Sequence, residues 1–333
     1  MAVFRLGTIH FRPQWSYHWT VVTLTTFLRT VKAALAPIAL VAAVRALDAQ
    51  PPPAVTTAYM CPMHPDVVSR AAGSCPRCGM ALALADPYDA REFLVDVISS
   101  PLARQRLRLR LTVREPSTRA IVRELVDVHE KPYHLFVISE DLEHYDHVHP
   151  QQARDGSFVV DVTLPKPGFY RLYSDFLPLG GTPQVVPASI ATSGFAGTIA
   201  SQRARLVPDA TLTKMAGGLR VTLTLPADGL VAGRDETLRY HIADAATGAD
   251  ITDVEPYLAA FGHTLVLSED TLHYVHAHPV ELLPDSAASA RGGPDLTFKA
   301  LLPKPGLYRV WTQLKRHGVV STASFTVSVK SPS

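Results

Sequence analysis

The chain carries two kinds of side-chain cluster that could bind metal. All three cysteines fall between Cys61 and Cys78, as C-x2-H, then C-x2-C, with thirteen residues between Cys61 and Cys75. Cys61, His64, Cys75 and Cys78 make a Cys3His set, which suits tetrahedral Zn²⁺. Pro62, Pro76 and Gly79 supply turns that let two short knuckles aim their ligands at one point. Of five methionines in the chain, Met60, Met63 and Met80 lie in this block. Met63 and Met80 are candidate helpers, because thioether and thiolate together select Cu(I) or a similarly soft ion. Two other roles suit the same residues. One is a zinc knuckle that only staples a segment too small to build a core. The other is a Cys75–Cys78 redox pair or disulfide, since an oxidising compartment attacks thiols that hold no metal.

The second cluster is histidine and occurs twice. HLFVISEDLEHYDHVHP (134–150) aligns with HTLVLSEDTLHYVHAHP (263–279) at an offset of 129, and LPKPGFYRLY (164–173) with LPKPGLYRVW (302–311) at 138. The nine extra residues of the second repeat fall in LLPDSAASARGGPD, which has loop composition. Each aligned stretch reads as two strands joined by a polar turn at SED. Side chains alternate along a strand, so His134, Phe136 and Ile138 share one face and Tyr145, His147 and His149 share another. Folding the hairpin at Asp141 sets His134 opposite residues 147–149, within reach of a common ion. His144 lies nearer the turn on the opposite face and ranks below these three. The matching set is His263, His276 and His278, with His273 in the lesser place. A structural role stands beside the metal role, with the imidazoles hydrogen-bonding a strand edge or each other. Asp161 and Asp175 are carboxylate partners only if folding brings them to the hairpin. His129, His241 and His317 have no match between repeats and are expected to be exposed.

The elements that must carry these residues are strands. RLRLRLTV (106–113), SFVVDVTL (157–164), GLRVTLTL (218–225) and STASFTVSV (321–329) alternate with period two. Twenty-seven prolines and nineteen glycines favour short strands joined by turns. The expected class is mainly β: a small Cys/His metal knuckle followed by two tandem immunoglobulin-like β-sandwich repeats. PGFY and PGLY place Tyr170 and Tyr308 where a tyrosine corner or a plain aromatic core position would sit.

The N-terminal segment reads as a targeting signal. Arg5, Arg12, Arg29 and Lys32 precede an apolar run from Ala33 to Val44, with a plausible cleavage point after Ala49. An uncleaved membrane anchor is the alternative. Loss of residues 1–49 would leave 27 Lys+Arg against 29 Asp+Glu. No basic stripe suggests nucleic acid.

YMCPMHPDVVSRAAGSCPRCGMAL, from Tyr59, resembles the small heavy-metal-binding domain of bacterial metal-efflux proteins, and the resemblance covers residues 59–83. That domain occurs in some copper- and zinc-transporting ATPases and in periplasmic adaptors of copper/silver pumps. The resemblance implies metal binding by Cys61, His64, Cys75 and Cys78, helped by Met63 and Met80, and implies no ATPase. Ala72 stands where the family often has proline, touching no ligand. The repeats resemble uncharacterised exported bacterial β-sandwich proteins.

The expected organisation is a signal peptide or anchor (1–49), a Pro-rich linker (50–57), the metal domain (58–84) and sandwiches at 92–198 and 205–330. The function expected is an exported, periplasmic or extracellular protein that binds zinc or copper for capture, sensing or delivery to an efflux or other envelope protein. The chain is read as no enzyme, for it shows no convincing Ser-His-Asp set, phosphate loop or carboxylate pair. A tandem-sandwich interaction module with a zinc-stapled knuckle is the alternative, and a metal-dependent enzyme a lesser one.

Overall fold

A computed structural model describes residues 58–77, 79–102, 105–283 and 289–332. The targeting segment, the Pro-rich linker, Cys78 and the middle of the expected insertion loop lie outside the described residues. No helix among the described residues is long and apolar enough to cross a membrane.

Three short strands frame the Cys block: β1 (Ala58–Met60), β2 (Val68–Ser69) and β3 (Ala83–Ala85), in the order β2-β1-β3. The first repeat follows as β4 (Leu94–Pro101), β5 (Arg106–Arg114), β6 (Leu125–Val126), β7 (His134–Ser139), β8 (Tyr145–Val148), β9 (Gln151–Gln152), β10 (Phe158–Thr163), β11 (Phe169–Pro178) and β12 (Gln184–Ala191). Its sheets run β4-β5-β10-β9 and β12-β11-β7-β8, with β6 on β11. Helix α1 (Ile199–Gln202) lies in the connection. The second repeat comprises β13 (Thr213–Ala216), β14 (Leu219–Thr224), β15 (Leu230–Val231), β16 (Asp235–Asp244), β17 (His263–Ser268), β18 (Tyr274–Ala277), β19 (Asp295–Leu301), β20 (Gly306–Arg316) and β21 (Val319–Lys330). Its sheets run β13-β14-β16-β19 and β15-β21-β20-β17-β18.

Alternation builds each sandwich as expected. On β5, Leu109, Leu111 and Val113 turn inward against Leu135 and Val137 of β7, Phe158 of β10 and Leu172 of β11. Arg106 and Arg108 turn outward and pair with Asp161, and Arg110 pairs with Asp155. The second sandwich closes in the same way around Val221, Tyr240, Val266, Phe298, Val310 and Phe325. Full burial of each such side chain stabilises by about 1.5–3 kcal/mol. Tyr170 and Tyr308 are both tyrosine corners: their hydroxyls donate to the carbonyls of Lys166 and Lys304, each at 2.8 Å.

A third apolar cluster joins the repeats. Phe136, Ile138 and Tyr173 of the first pack with Leu265, Leu267 and Trp311 of the second. This contact explains why β7 and β17 are buried at all six positions. One face of each strand lines its own sandwich, and the other face meets the partner repeat. The contact is close to two-fold symmetric. Tyr145 stacks on Trp311 with ring centroids 5.0 Å apart, and Tyr274 stacks on Tyr173 at 5.5 Å. By the sequence offsets, Tyr145 matches Tyr274 and Tyr173 matches Trp311.

Candidate metal centres

In the Cys block, hydrogen bonds fold both knuckles. Cys61 N donates to Val67 O and Val67 N to His64 O; Cys75 N donates to Met80 O and Gly79 N to Cys75 O. Gly79 has φ +73, and a Cβ there would meet Leu282 of the second repeat at 2.1 Å. The positive φ is what calls for glycine here, since the exposed end of Leu282 is free to swing aside. The ligand atoms converge: His64 Nδ1 lies 3.7 Å from Cys61 Sγ and 3.6 Å from Cys75 Sγ. Zinc bond lengths and a tetrahedral angle require about 3.6 Å between a sulfur and a nitrogen ligand. Both cysteines are buried, and Met63, His64 and Met80 are partly exposed. The donors present therefore fit a tetrahedral thiolate–imidazole ion. The expected fourth ligand, Cys78, is outside the described residues.

The histidine hairpins take the expected register. Phe136 pairs with His147 and Leu135 with Val148, which sets His134 across from His149. His134 Nδ1 is 3.0 Å from His147 Nε2 and 3.2 Å from His149 Nε2. In the second repeat, His263 Nδ1 is 3.4 Å from His276 Nε2, and His278 completes the group. Two imidazole nitrogens on one tetrahedral zinc stand about 3.3 Å apart.

His144 and His273 fall outside these groups, which corrects their place among the candidate ligands. Both precede the second hairpin strand. His144 points away, its ring against Tyr170 and its Nε2 3.4 Å from Asp146. Their backbone N–H groups instead close the turn by donating to Ser139 Oγ and Ser268 Oγ.

His129 is a second correction. It is buried rather than exposed, and its ring stacks on His278 at 3.6 Å. Its Nδ1–H donates to Leu258 O, across the repeat interface. Leu258 is its repeat equivalent, and both residues have positive φ. These two turns carry the carbonyls of Val128 and Tyr257, which accept from His134 Nε2 and His263 Nε2 at 2.8 Å each. The far nitrogens of His147 and His276 are held by the opposite repeat: Gln313 Oε1 accepts from His147 Nδ1 at 3.0 Å, and Asp175 Oδ2 from His276 Nδ1 at 3.2 Å. Asp175 thus reaches a hairpin, the second repeat's. Asp161 stays on the outer sheet with its arginines.

Burial drives most of these imidazoles toward neutrality. It holds His149 at about 3, with His134 adding repulsion, and His129 at about 3, with His276 adding. His134 is lowered by burial and then by His276. His147, His263 and His278 are pushed well below the usual range, again by burial first. Burial raises the Asp175 carboxyl, but hydrogen bonds from His276 and Tyr274, with the neighbouring imidazoles, outweigh it, so the group stays below the ordinary value.

Two cavities adjoin the second group. One of about 490 Å³ is lined by Met80, His129, Glu130, His278, Glu281 and Leu282. Another of about 30 Å³ lies between Met63, His64 and Arg77 of the Cys block and His276 and His278.

A family described as Domain of unknown function (DUF8832) matches residues 89–194 and again 213–331. A family described as Heavy metal binding domain matches residues 58–83, bearing out the resemblance read from CPMHP and CPRCGM. No curated protein matches the chain. Among solved structures, fibronectin(III)-like modules of Clostridium thermocellum CbhA share 13% identity at a TM-score of 0.20, over 72% of this chain and 95% of that one. Red sea bream transglutaminase shares 9% at 0.19, over 72% and 31%. S. aureus TarS shares 10% at 0.22, over 72% and 39%. This chain spans well under half of the last two, and likenesses at these TM-scores bear on nothing below.

Proposed function

The chain belongs to the family described as Domain of unknown function (DUF8832), and from that premise and its heavy-metal-binding domain we propose an exported protein that captures copper or zinc and passes it on. One observation carries the reading: Cys61, His64 and Cys75 present two sulfurs and a nitrogen at the spacing of one ion. Thiolate ligands with Met63 and Met80 nearby suit Cu(I) or Zn²⁺ among available ions. Partial exposure of His64 favours exchange with a partner over permanent burial, and an efflux or other envelope protein is the partner proposed. Export rests on the basic and apolar N-terminal segment. No catalysis is assigned.

A second reading is favoured by the burial of both cysteines. In it the ion is a zinc staple, and the tandem sandwiches are an interaction module. The two readings separate in a chelator experiment on the full chain. A handled ion leaves to a competing chelator while the repeats and the block stay folded, and returns on dilution into metal. If removal instead melts the block cooperatively, the staple is correct. N-terminal sequencing of protein recovered from cell fractions tests export: an uncut, cytoplasmic product would overturn that part.

A further inference from the structure

We propose that the six imidazoles at the repeat interface form a paired centre for two divalent cations of the zinc or copper(II) class, in which the ion at His263, His276 and His278 is held more tightly than the ion at His134, His147 and His149. The proposal uses none of the Cys-block ligands, so it and the capture reading fail separately.

The hydrogen-bond pattern orients the ring nitrogens. His134 Nε2 and His263 Nε2 face carbonyls, which only accept, so these nitrogens carry protons. In the neutral rings their Nδ1 atoms are therefore lone pairs. His147 and His276 turn Nδ1 toward Gln313 Oε1 and Asp175 Oδ2, which aims their Nε2 atoms at those lone pairs. Two ring nitrogens thus face each other at 3.0 Å in one group and 3.4 Å in the other, a gap that one proton or one cation fills. His278 Nε2 is buried and has no hydrogen-bond partner among the described residues. A buried ring nitrogen left without a partner, as at His278, is costly. A cation shared by the three rings of a group engages every such nitrogen at once. Carbonyl, amide and carboxylate acceptors on the far nitrogens are the partners that orient metal-binding imidazoles and raise their basicity. Three protein ligands leave a fourth position for water or an exchanging ligand.

The inequality comes from one position. Asp175 and Gln313 are repeat equivalents at an offset of 138, and each faces the other repeat's second imidazole. Three neutral imidazoles leave a buried dication's charge uncompensated, which is expensive in a low-dielectric interior. Asp175 offsets one unit of that charge and strengthens His276 as a donor. Gln313 does neither for His147. Loss of such a partner changes metal affinity by about 10–100-fold, which sets the expected ratio of the two dissociation constants. The two cavities described above are both lined by His278 of the second group.

The test is Zn²⁺ titration calorimetry on the full-length Cys61→Ser protein. Two zinc ions should bind per chain outside the Cys block, in steps separated by about 10–100-fold. Asp175→Asn should weaken the tighter step by a similar factor and leave the weaker one. Gln313→Glu should tighten the weaker step, a gain that misfolding cannot mimic. Cu²⁺ loaded at one equivalent should show nitrogen hyperfine coupling, and His263→Ala should abolish the tighter binding step while leaving the weaker one. Absence of zinc binding in Cys61→Ser, or two equal steps indifferent to Asp175→Asn and Gln313→Glu, would overturn the proposal.

Discussion

Asp175 Oδ2 accepts a hydrogen bond from His276 Nδ1 across the repeat interface at 3.2 Å. The partner of each hairpin's second imidazole belongs to the other repeat, so neither histidine group is complete within one sandwich. Duplication here does not yield two separate sites on a string. It yields one interface whose two halves brace each other.

The pH dependence of the metal-free protein follows from the depressed imidazoles. Unfolded, these histidines take up protons below about 6.5. Folded, His129 and His149 do so only near 3, and His134, His147, His263 and His278 are also shifted down by burial. The unfolded state therefore binds more protons through this window. Their contribution to stability is complete above pH 6.5 and is lost as pH falls toward 3, by up to ~1.4 kcal/mol per pH unit for each group. Urea midpoints with chelator present should fall steadily from pH 7 to 5. Carboxylates stay ionised over that range, so a flat profile would mean that the imidazoles are not buried as described.

Trp311 links stability to the histidine groups. It stacks on Tyr145 from the opposite repeat and lies two residues before Gln313 on β20. Trp311→Ala should cost about 3–5 kcal/mol, as for other buried aromatic truncations. It should also weaken zinc binding at His134, His147 and His149, because Gln313 is no longer held against His147. Thermal unfolding and zinc titration of the same variant check both effects. A destabilised protein with unchanged zinc affinity would show that the interface does not position the ligands.

The tyrosine corners should behave independently. Tyr170→Phe and Tyr308→Phe each remove a hydrogen bond to a backbone carbonyl, at about 0.5–1.5 kcal/mol, and Tyr170→Phe also removes the longer one that its hydroxyl accepts from Lys166 N. They sit in different sandwiches and share no partner, so the double variant should show the sum. Denaturant unfolding of the two single variants and the double tests this.

Much of this was legible because strand periodicity leaves little freedom. HLFVIS and HYDHVH, read with alternation and a turn at Asp141, place His134 against His147 and His149 and set His144 apart. The spacing of CPMHP and CPRCGM likewise predicts the convergence of Cys61, His64 and Cys75. What was not legible depends on the interface. The continuous apolar run of β7 hints at burial on both faces, but nothing local says that the second face meets β17. The turns at Val128–His129 and Tyr257–Leu258 act through backbone carbonyls. A carbonyl's place is not written in its side chain, and the residues between these turns and the strands show no repeat match. His129 therefore read as a stray surface histidine. Asp175 and Gln313 share a position but not a chemistry, so the alignment marks neither as a partner of the imidazoles.

The most direct test of the metal-binding account is zinc content of the mature full-length protein after loading and gel filtration, measured by mass spectrometry of the metal beside Cys61→Ser. The account predicts that Cys61→Ser loses one zinc per chain, and that X-ray absorption of the wild type shows a sulfur shell near 2.3 Å that the variant diminishes. Equal zinc in the two proteins, with only oxygen and nitrogen neighbours, would contradict it.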